Sequence, residues 1–210
     1  MKKYSFIPRF TTSLSRFSII GMLVLVVGIF AAFSPLADAT KWKVDGAHSS
    51  VGFAIDHGFV PTTGRFDEFK GDLNFSPENL ADSKADFTID INSINTEETK
   101  RDNHLKSKDF FNAKEYPSMR FVSSKFTKVD DKNYIAHGKL TIRNVTKDIK
   151  LPFKVLGVGQ HPAKKGTTVM GIKAQTTIDR TDYEVGTGSW TATAIVGDEV
   201  EITIIMELHN

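Results

Sequence analysis

The sequence predicts an all-β fold: a closed antiparallel barrel of about eight strands, interrupted by one short helical insertion. Three observations carry this expectation. Apolar and polar residues alternate with a period of two in run after run, from Trp42 to Leu208. Clusters of Pro, Gly, Ser, Asn and Asp separate the runs. One stretch, Thr99 to Pro117, breaks the alternation with a helix-like mixture of charged and aromatic residues. Antiparallel strands that close into a barrel leave no exposed edge to pair with another chain.

The elements follow in order. Trp42 and Val44 open the first strand, and Val51, Phe53, Ile55 and His57 share one of its faces. Phe87, Ile89 and Ile91 make the next clear face. Tyr134, Ala136, Gly138, Leu140 and Ile142 form another, followed by Ile149, Leu151, Phe153 and Val155. Ile172, Ala174, Thr176 and Ile178 come next, and Val200, Ile202, Ile204, Met206 and Leu208 close the series. Such alternation marks strands with one buried face. Turns are expected at Pro61 and Gly64, at Ser76 to Asn79, at Asp130 to Asn133, at Lys164 to Gly166 and at Gly197-Asp198. A helix is expected over roughly Glu97 to Lys108, with Thr96 as N-cap and Glu97 and Glu98 placed where the helix dipole favours acids. Leu105 follows Arg101 by four residues and shares its face. Pro117 then forces Tyr116 into an extended conformation.

Residues 1–39 read as an export signal rather than as part of the fold. Lys2, Lys3, Arg9 and Arg16 supply a basic start, Phe17 to Phe33 is uncharged and mostly apolar, and Ala37-Asp38-Ala39 matches a cleavage site. The alternative is a retained membrane anchor, because the apolar run approaches the roughly 18–20 residues needed to span. With no cysteine in the chain, a lipoprotein anchor is excluded. Residues 40–210 then form one domain, long enough to bury a core. Removing the leader takes away four basic residues and one acid, leaving 23 basic against 24 acidic. The domain is nearly neutral, and no nucleic-acid partner is expected. Zero cysteines also exclude disulfides, thiol catalysis and cysteine-ligated zinc.

Six histidines, at 48, 57, 104, 137, 161 and 209, show no paired spacing, so the sequence assigns no metal site. His57 ends an apolar strand face and is either a strand-end histidine bound to backbone or a head-group contact at a barrel mouth. His48 reads as a residue that pins a turn. Arg101, Asp102 and His104 form a clamp across one barrel end, a head-group site, or an acid–base constellation. No G-x-S-x-G elbow accompanies them.

Phenylalanine is the stronger signal, at 16 residues against four Tyr and two Trp. Phe53, Phe59, Phe66, Phe110, Phe111 and Phe121 are spread over the strands and the insertion. Most must pack a core. In a hollow barrel they would join Ile and Leu in an apolar tunnel suited to a hydrocarbon chain.

Several motifs, in order and spacing, resemble the YceI-like family. They are Trp42-Lys-Val-Asp, Ala47-His-Ser-Ser-Val-Gly-Phe, Gly64-Arg-Phe-Asp, Arg101-Asp-Asn-His-Leu, Asp109-Phe-Phe, Tyr116-Pro and Gly138-Lys-Leu-Thr-Ile-Arg. Asn144 is a departure, because the family more often has glycine there. The resemblance implies an extended lipocalin-like barrel, periplasmic or secreted, that holds an amphiphilic lipid, often as a homodimer. The expected ligand is a polyisoprenoid or an isoprenoid quinone, with membrane contact only for lipid exchange and no cofactor besides the lipid.

The expected lining is Phe53, Ile55, Phe59, Phe66, Ile89, Leu105, Phe110, Phe111, Phe121, Leu140 and Ile142, with His57, Arg101 and His104 at the head-group end. Two rivals stand beside this non-enzymatic carrier. One is a barrel enzyme acting on an ester or isoprenoid substrate through His104 and Asp102. The other is an interaction protein whose barrel is filled.

Overall fold

A computed structural model describes residues 38–191 and 195–210. Nearly all of the expected export signal therefore lies outside the described residues. The described chain holds ten strands in one antiparallel sheet: β1 (Lys41–His57), β2 (Val60–Phe66), β3 (Phe69–Asn74), β4 (Lys84–Asp90), β5 (Ile94–Asn95), β6 (Ser118–Lys128), β7 (Asn133–Ile142), β8 (Val145–Gln160), β9 (Thr168–Asp179) and β10 (Val196–His209). One α-helix, α1 (Thr99–Lys106), lies between β5 and β6.

β2 and β3 both pair with β1, and only Asp67 and Glu68 separate them. They are two halves of one bent strand. β4 and β5 are likewise two halves, joined by a 3-10 turn at Ile91–Ser93. Counted this way, eight strands run up and down in chain order, and pairing of β10 with β1 closes the barrel. This is the expected lipocalin-like architecture, with its single short helical insertion.

A bulge in β1 reconciles its sequence with the barrel. Trp42 and Val51 have opposite parity, yet they are 7% and 4% exposed. Between the pairs Asp45–Glu207 and Ser50–Ile205, β1 advances five residues while β10 advances two. That odd slip returns the apolar set to the inner face. Asp45 holds the bulge, its carboxylate accepting from the Ala47 N–H at 3.0 Å and facing His48 Nδ1 at 3.0 Å.

An aromatic cluster packs one end of the barrel. Phe75 meets Tyr134 and Phe153 edge to face, with ring centroids 5.1 and 5.4 Å apart, and Phe126 joins them. Trp42 Nε1 donates to the Phe75 carbonyl at 2.9 Å, which satisfies the indole inside the core.

Local expectations change in four places. The first hairpin turns at Gly58-Phe59, where Gly58 adopts φ +61°, so Pro61 and Gly64 lie within β2. Gly197-Asp198 lies within β10. α1 starts later than expected because Glu97 sits at φ +63°, and Glu98 is the N-cap, accepting from the N–H groups of Lys100 and Arg101. In the β7–β8 turn Arg143, not Asn144, takes the left-handed conformation, so a side chain at 144 is accommodated.

Candidate functional site

The other end of the barrel is hollow. A cavity of about 400 Å³ lies where β1 pairs with the start of β10. Inward residues of the strands wall it: Phe53 and Ile55 from β1, Thr62 and Phe66 from β2, Met119, Ile142 and Ile178 from β6, β7 and β9, and Val200 and Ile202 from β10. Two segments outside the strands roof it. One is α1 with the chain after it, which contributes Arg101, His104, Leu105, Phe110 and Phe111. The other is the β9–β10 connection, which contributes Arg180, Val185 and Trp190.

A second cavity of about 80 Å³ lies deeper, lined by apolar residues that include Val51, Phe69, Ile89, Phe121 and Ile204. Successive inward residues belong to different cavities: Phe53 then Val51 on β1, Met119 then Phe121 on β6, Ile202 then Ile204 on β10. On β7, Ile142 lines the larger cavity and Ala136 the smaller. Leu140 lies between them, 8% exposed and lining neither. Leu140 therefore sits at the level that divides the barrel interior.

Besides Thr62 of the wall, the polar groups of the larger cavity lie at its roof and mouth. Thr96 is buried, and its hydroxyl donates to Asp102 Oδ1 at 2.6 Å while accepting from Arg101 Nε at 2.8 Å. The Thr96 N–H also donates to Asp102 Oδ1, and Arg101 Nη2 donates to the Thr96 carbonyl. This is the clamp form of the Arg101–Asp102 pair, with Thr96 as its node rather than as a helix cap. Among the described residues Arg101 makes no direct ion pair, and its guanidinium, held by Thr96, lines the cavity.

His104 Nε2 lies 3.2 Å from Asp109 Oδ2, whereas Asp102 is engaged with Thr96. The His104–Asp102 couple of the enzymatic reading is not assembled. The reason is local: Asp102 is drawn toward the segment before α1, and Asp109 comes round to His104 after it.

The β9–β10 connection folds around Arg180, which is 4% exposed. Its Nε donates to Gly197 O, Nη1 to Val185 O and Gly186 O, and Nη2 to Trp190 O and Asp198 Oδ1. With Val196 O at 3.4 Å from Nη2, six acceptors compensate a buried guanidinium. Gly186 makes the approach feasible, since a Cβ there would stand 2.5 Å from Arg180 Nη1 and 2.8 Å from the Phe110 ring, at φ +67°. In the same connection Tyr183 is 2% exposed, and burial pushes its hydroxyl pKa up to about 12.

Of the fourteen residues expected at the site, ten line the larger cavity: Phe53, Ile55, His57, Phe66, Arg101, His104, Leu105, Phe110, Phe111 and Ile142. Ile89 and Phe121 line the smaller one. Leu140 stands at the divide. Phe59 is a correction: it is fully exposed at the tip of the β1–β2 hairpin, because the two-residue turn carries it beyond the barrel wall. Sequence reasoning missed Thr96, Met119, Arg180, Val185 and Trp190. One signal was present for the last three. The β9–β10 connection spans residues 180–195, far longer than the roughly 2–5 residues a hairpin needs, and it holds one of two tryptophans.

A family profile described as the YceI-like domain matches residues 42–208, essentially the whole barrel. The chain belongs to the YceI-like family. Protein YceI of Escherichia coli is 34% identical over 180 residues, covering 85% of this chain and 91% of that protein. A UPF0312 protein of Photorhabdus laumondii is 37% identical over 144 residues, covering 67% of this chain and 74% of the relative. Among solved structures, BcnA of Burkholderia cenocepacia superposes with a TM-score of 0.71 at 33% identity, covering 78% of this chain and 98% of that one. A polyisoprenoid binding domain from Saccharophagus degradans shares the fold at 16% identity, with a TM-score of 0.59 over 80% of this chain and 97% of its own.

Proposed function

We propose that this YceI-like protein is a non-enzymatic periplasmic carrier of a long-chain amphiphilic lipid, a polyisoprenoid or an isoprenoid quinone. One observation supports this above the others: an apolar cavity within a closed barrel, with Arg101, His104, Asp56 and His57 placed at its roof and mouth. A hydrocarbon tail makes no hydrogen bonds, and apart from Thr62 the strand wall is apolar. A polar head left at the mouth meets the Arg101 guanidinium, two imidazoles and a carboxylate. The name of the Saccharophagus degradans domain fits the same ligand class.

The energetics agree. Each CH₂ moved from water into the wall contributes about 0.8 kcal/mol, offset by ordering of the tail. The competing location of the tail is a membrane, so a carrier needs only to match that membrane. The larger cavity lies within the ~300–1,000 Å³ range of small-ligand sites. It takes the head and the first prenyl units, and a longer tail reaches the smaller cavity by displacing the side chains at the Leu140 level. Exchange with the membrane uses the hairpin tip. Phe59 and Val60 are exposed there, and the Gly58 N–H donates to the carbonyl of Ile195, itself exposed, at 2.8 Å. That tip is continuous with His57 and Val196 at the cavity mouth.

The test is native mass spectrometry of the protein purified from its own periplasm, followed by lipid extraction. The expected result is one isoprenoid or quinone mass per chain, and the same spectrum reads the proposed homodimer. Protein that is lipid-free, and remains so after incubation with polyprenol and with ubiquinone, would overturn the proposal in favour of a barrel acting through its outer face.

A further inference from the structure

Three of the six histidines converge on the outer wall at the packed end of the barrel, remote from the cavity. His48 lies on the β1 bulge, His209 ends β10, and His161 follows β8. Asp45 and Glu207 stand among them. His48 Nδ1 is 3.0 Å from Asp45 Oδ2 and 3.9 Å from Glu207 Oε1. His209 Nε2 is 2.8 Å from Glu207 Oε1 and 3.8 Å from Asp45 Oδ2. One ligand atom from each of Asp45, His48 and Glu207 lies within 4.8 Å of the other two, and His209 adjoins this group through Glu207 and Asp45. A tetrahedral ion with bonds of about 2.0–2.2 Å sets its ligands roughly 3.3–3.6 Å apart, within the 2.8–3.9 Å spread of these four contacts.

We propose that Asp45, His48, Glu207 and His209 form a binding site for a divalent transition-metal ion of the zinc class. Mixed imidazole and carboxylate donors suit zinc, and two carboxylates balance its charge. The supporting structure holds the donors in place. The Ala47 N–H fixes Asp45 through Oδ1, leaving Oδ2 toward both histidines. Ser49 Oγ is bonded to the backbone N–H and carbonyl of Glu207, which locks the bulge against β10. His161 Nδ1 accepts from the N–H groups of Ala163 and Lys164, so its proton sits on Nε2 and it is not a ligand in this form. Its ring instead stands edge to face against His209, with centroids 5.2 Å apart, and holds that imidazole. The ion would join β1 to β10 across the pairing that closes the barrel. The site belongs to the barrel wall and does not depend on the lipid reading.

The experiment is calorimetric titration of chelator-treated protein with zinc chloride, alongside melting curves. Expected are one zinc per chain and a melting temperature raised by about 5 °C or more at a hundredfold excess over Kd. His48→Ala, whose side chain is 66% exposed and so leaves the fold intact, and Asp45→Asn should each weaken binding about tenfold or more. His104→Ala, at the other end, should bind zinc like the parent. Absence of heat and of any melting shift at millimolar zinc would overturn the proposal. So would binding that neither His48→Ala nor Asp45→Asn weakens.

Discussion

His104 and Trp190 meet edge to face with ring centroids 4.8 Å apart, and both rings pack on Phe110. His104 belongs to α1 and Trp190 to the β9–β10 connection, so this contact joins the two halves of the roof over the cavity. Trp190→Ala removes the join while leaving the strand walls unchanged. Bound lipid should then pass to acceptor vesicles about tenfold faster, with affinity changed through the off-rate. Stopped-flow transfer of a fluorescent prenyl lipid measures it. Unchanged transfer would show that the roof does not gate exit.

The position of Leu140 between the two cavities predicts an effect on tail length. Leu140→Ala should cost about 2–5 kcal/mol of stability and join the two cavities. Lipids extracted from this variant should shift toward longer tails than those of the parent, as read by mass spectrometry. An unchanged distribution would mean that tails end above the divide.

Arg180 organises the roof from inside. Arg180→Ala leaves six acceptors without their donor and should destabilise the protein by about 3–5 kcal/mol in urea unfolding. Arg180→Lys should rescue little, because one ammonium cannot span carbonyls on several sides of a planar guanidinium. Full rescue by lysine would argue that charge alone, not the fork, holds the connection.

Tyr183 sets an alkaline limit. Its pKa is about 12 in the folded chain and about 10 when unfolded. The unfolded chain loses this proton first, so the stabilisation is complete below pH ~10 and is lost as pH rises through 12. The difference is worth on the order of 2 kcal/mol. Tyr183→Phe should flatten stability over that window, which denaturant titrations between pH 9 and 12 would read. An identical slope in parent and variant would remove Tyr183 as the cause.

The proposed exchange route runs through exposed Phe59. Phe59→Asp should slow lipid delivery to vesicles several-fold while equilibrium binding in solution stays the same, because the residue lies outside the cavity. Equal delivery rates would place exchange elsewhere on the surface.

Much of the fold was legible because alternation is a local property. The β7 pattern from Tyr134 to Ile142 marks an inward face whatever the strand pairs with, and its even positions are all buried. The long apolar rows also pointed to most of the cavity wall, since inward residues of a closed barrel converge on the same interior. Local pattern failed where the chain leaves the strands. Arg180 reads as one more charged residue until its carbonyl partners gather round it, and Phe59 reads as lining until the turn places it outside.

The sequence by itself determined the strands, the single helical insertion and the apolar supply, because side-chain period and turn chemistry act over a few residues. Only the tertiary structure decided which distant residues meet. It paired His104 with Asp109 rather than Asp102, and divided the interior at Leu140. It also set His161 against His209 and placed His48 beside Glu207, far along the chain. Those meetings depend on register, and one odd slip in β1 changes every partner beyond it.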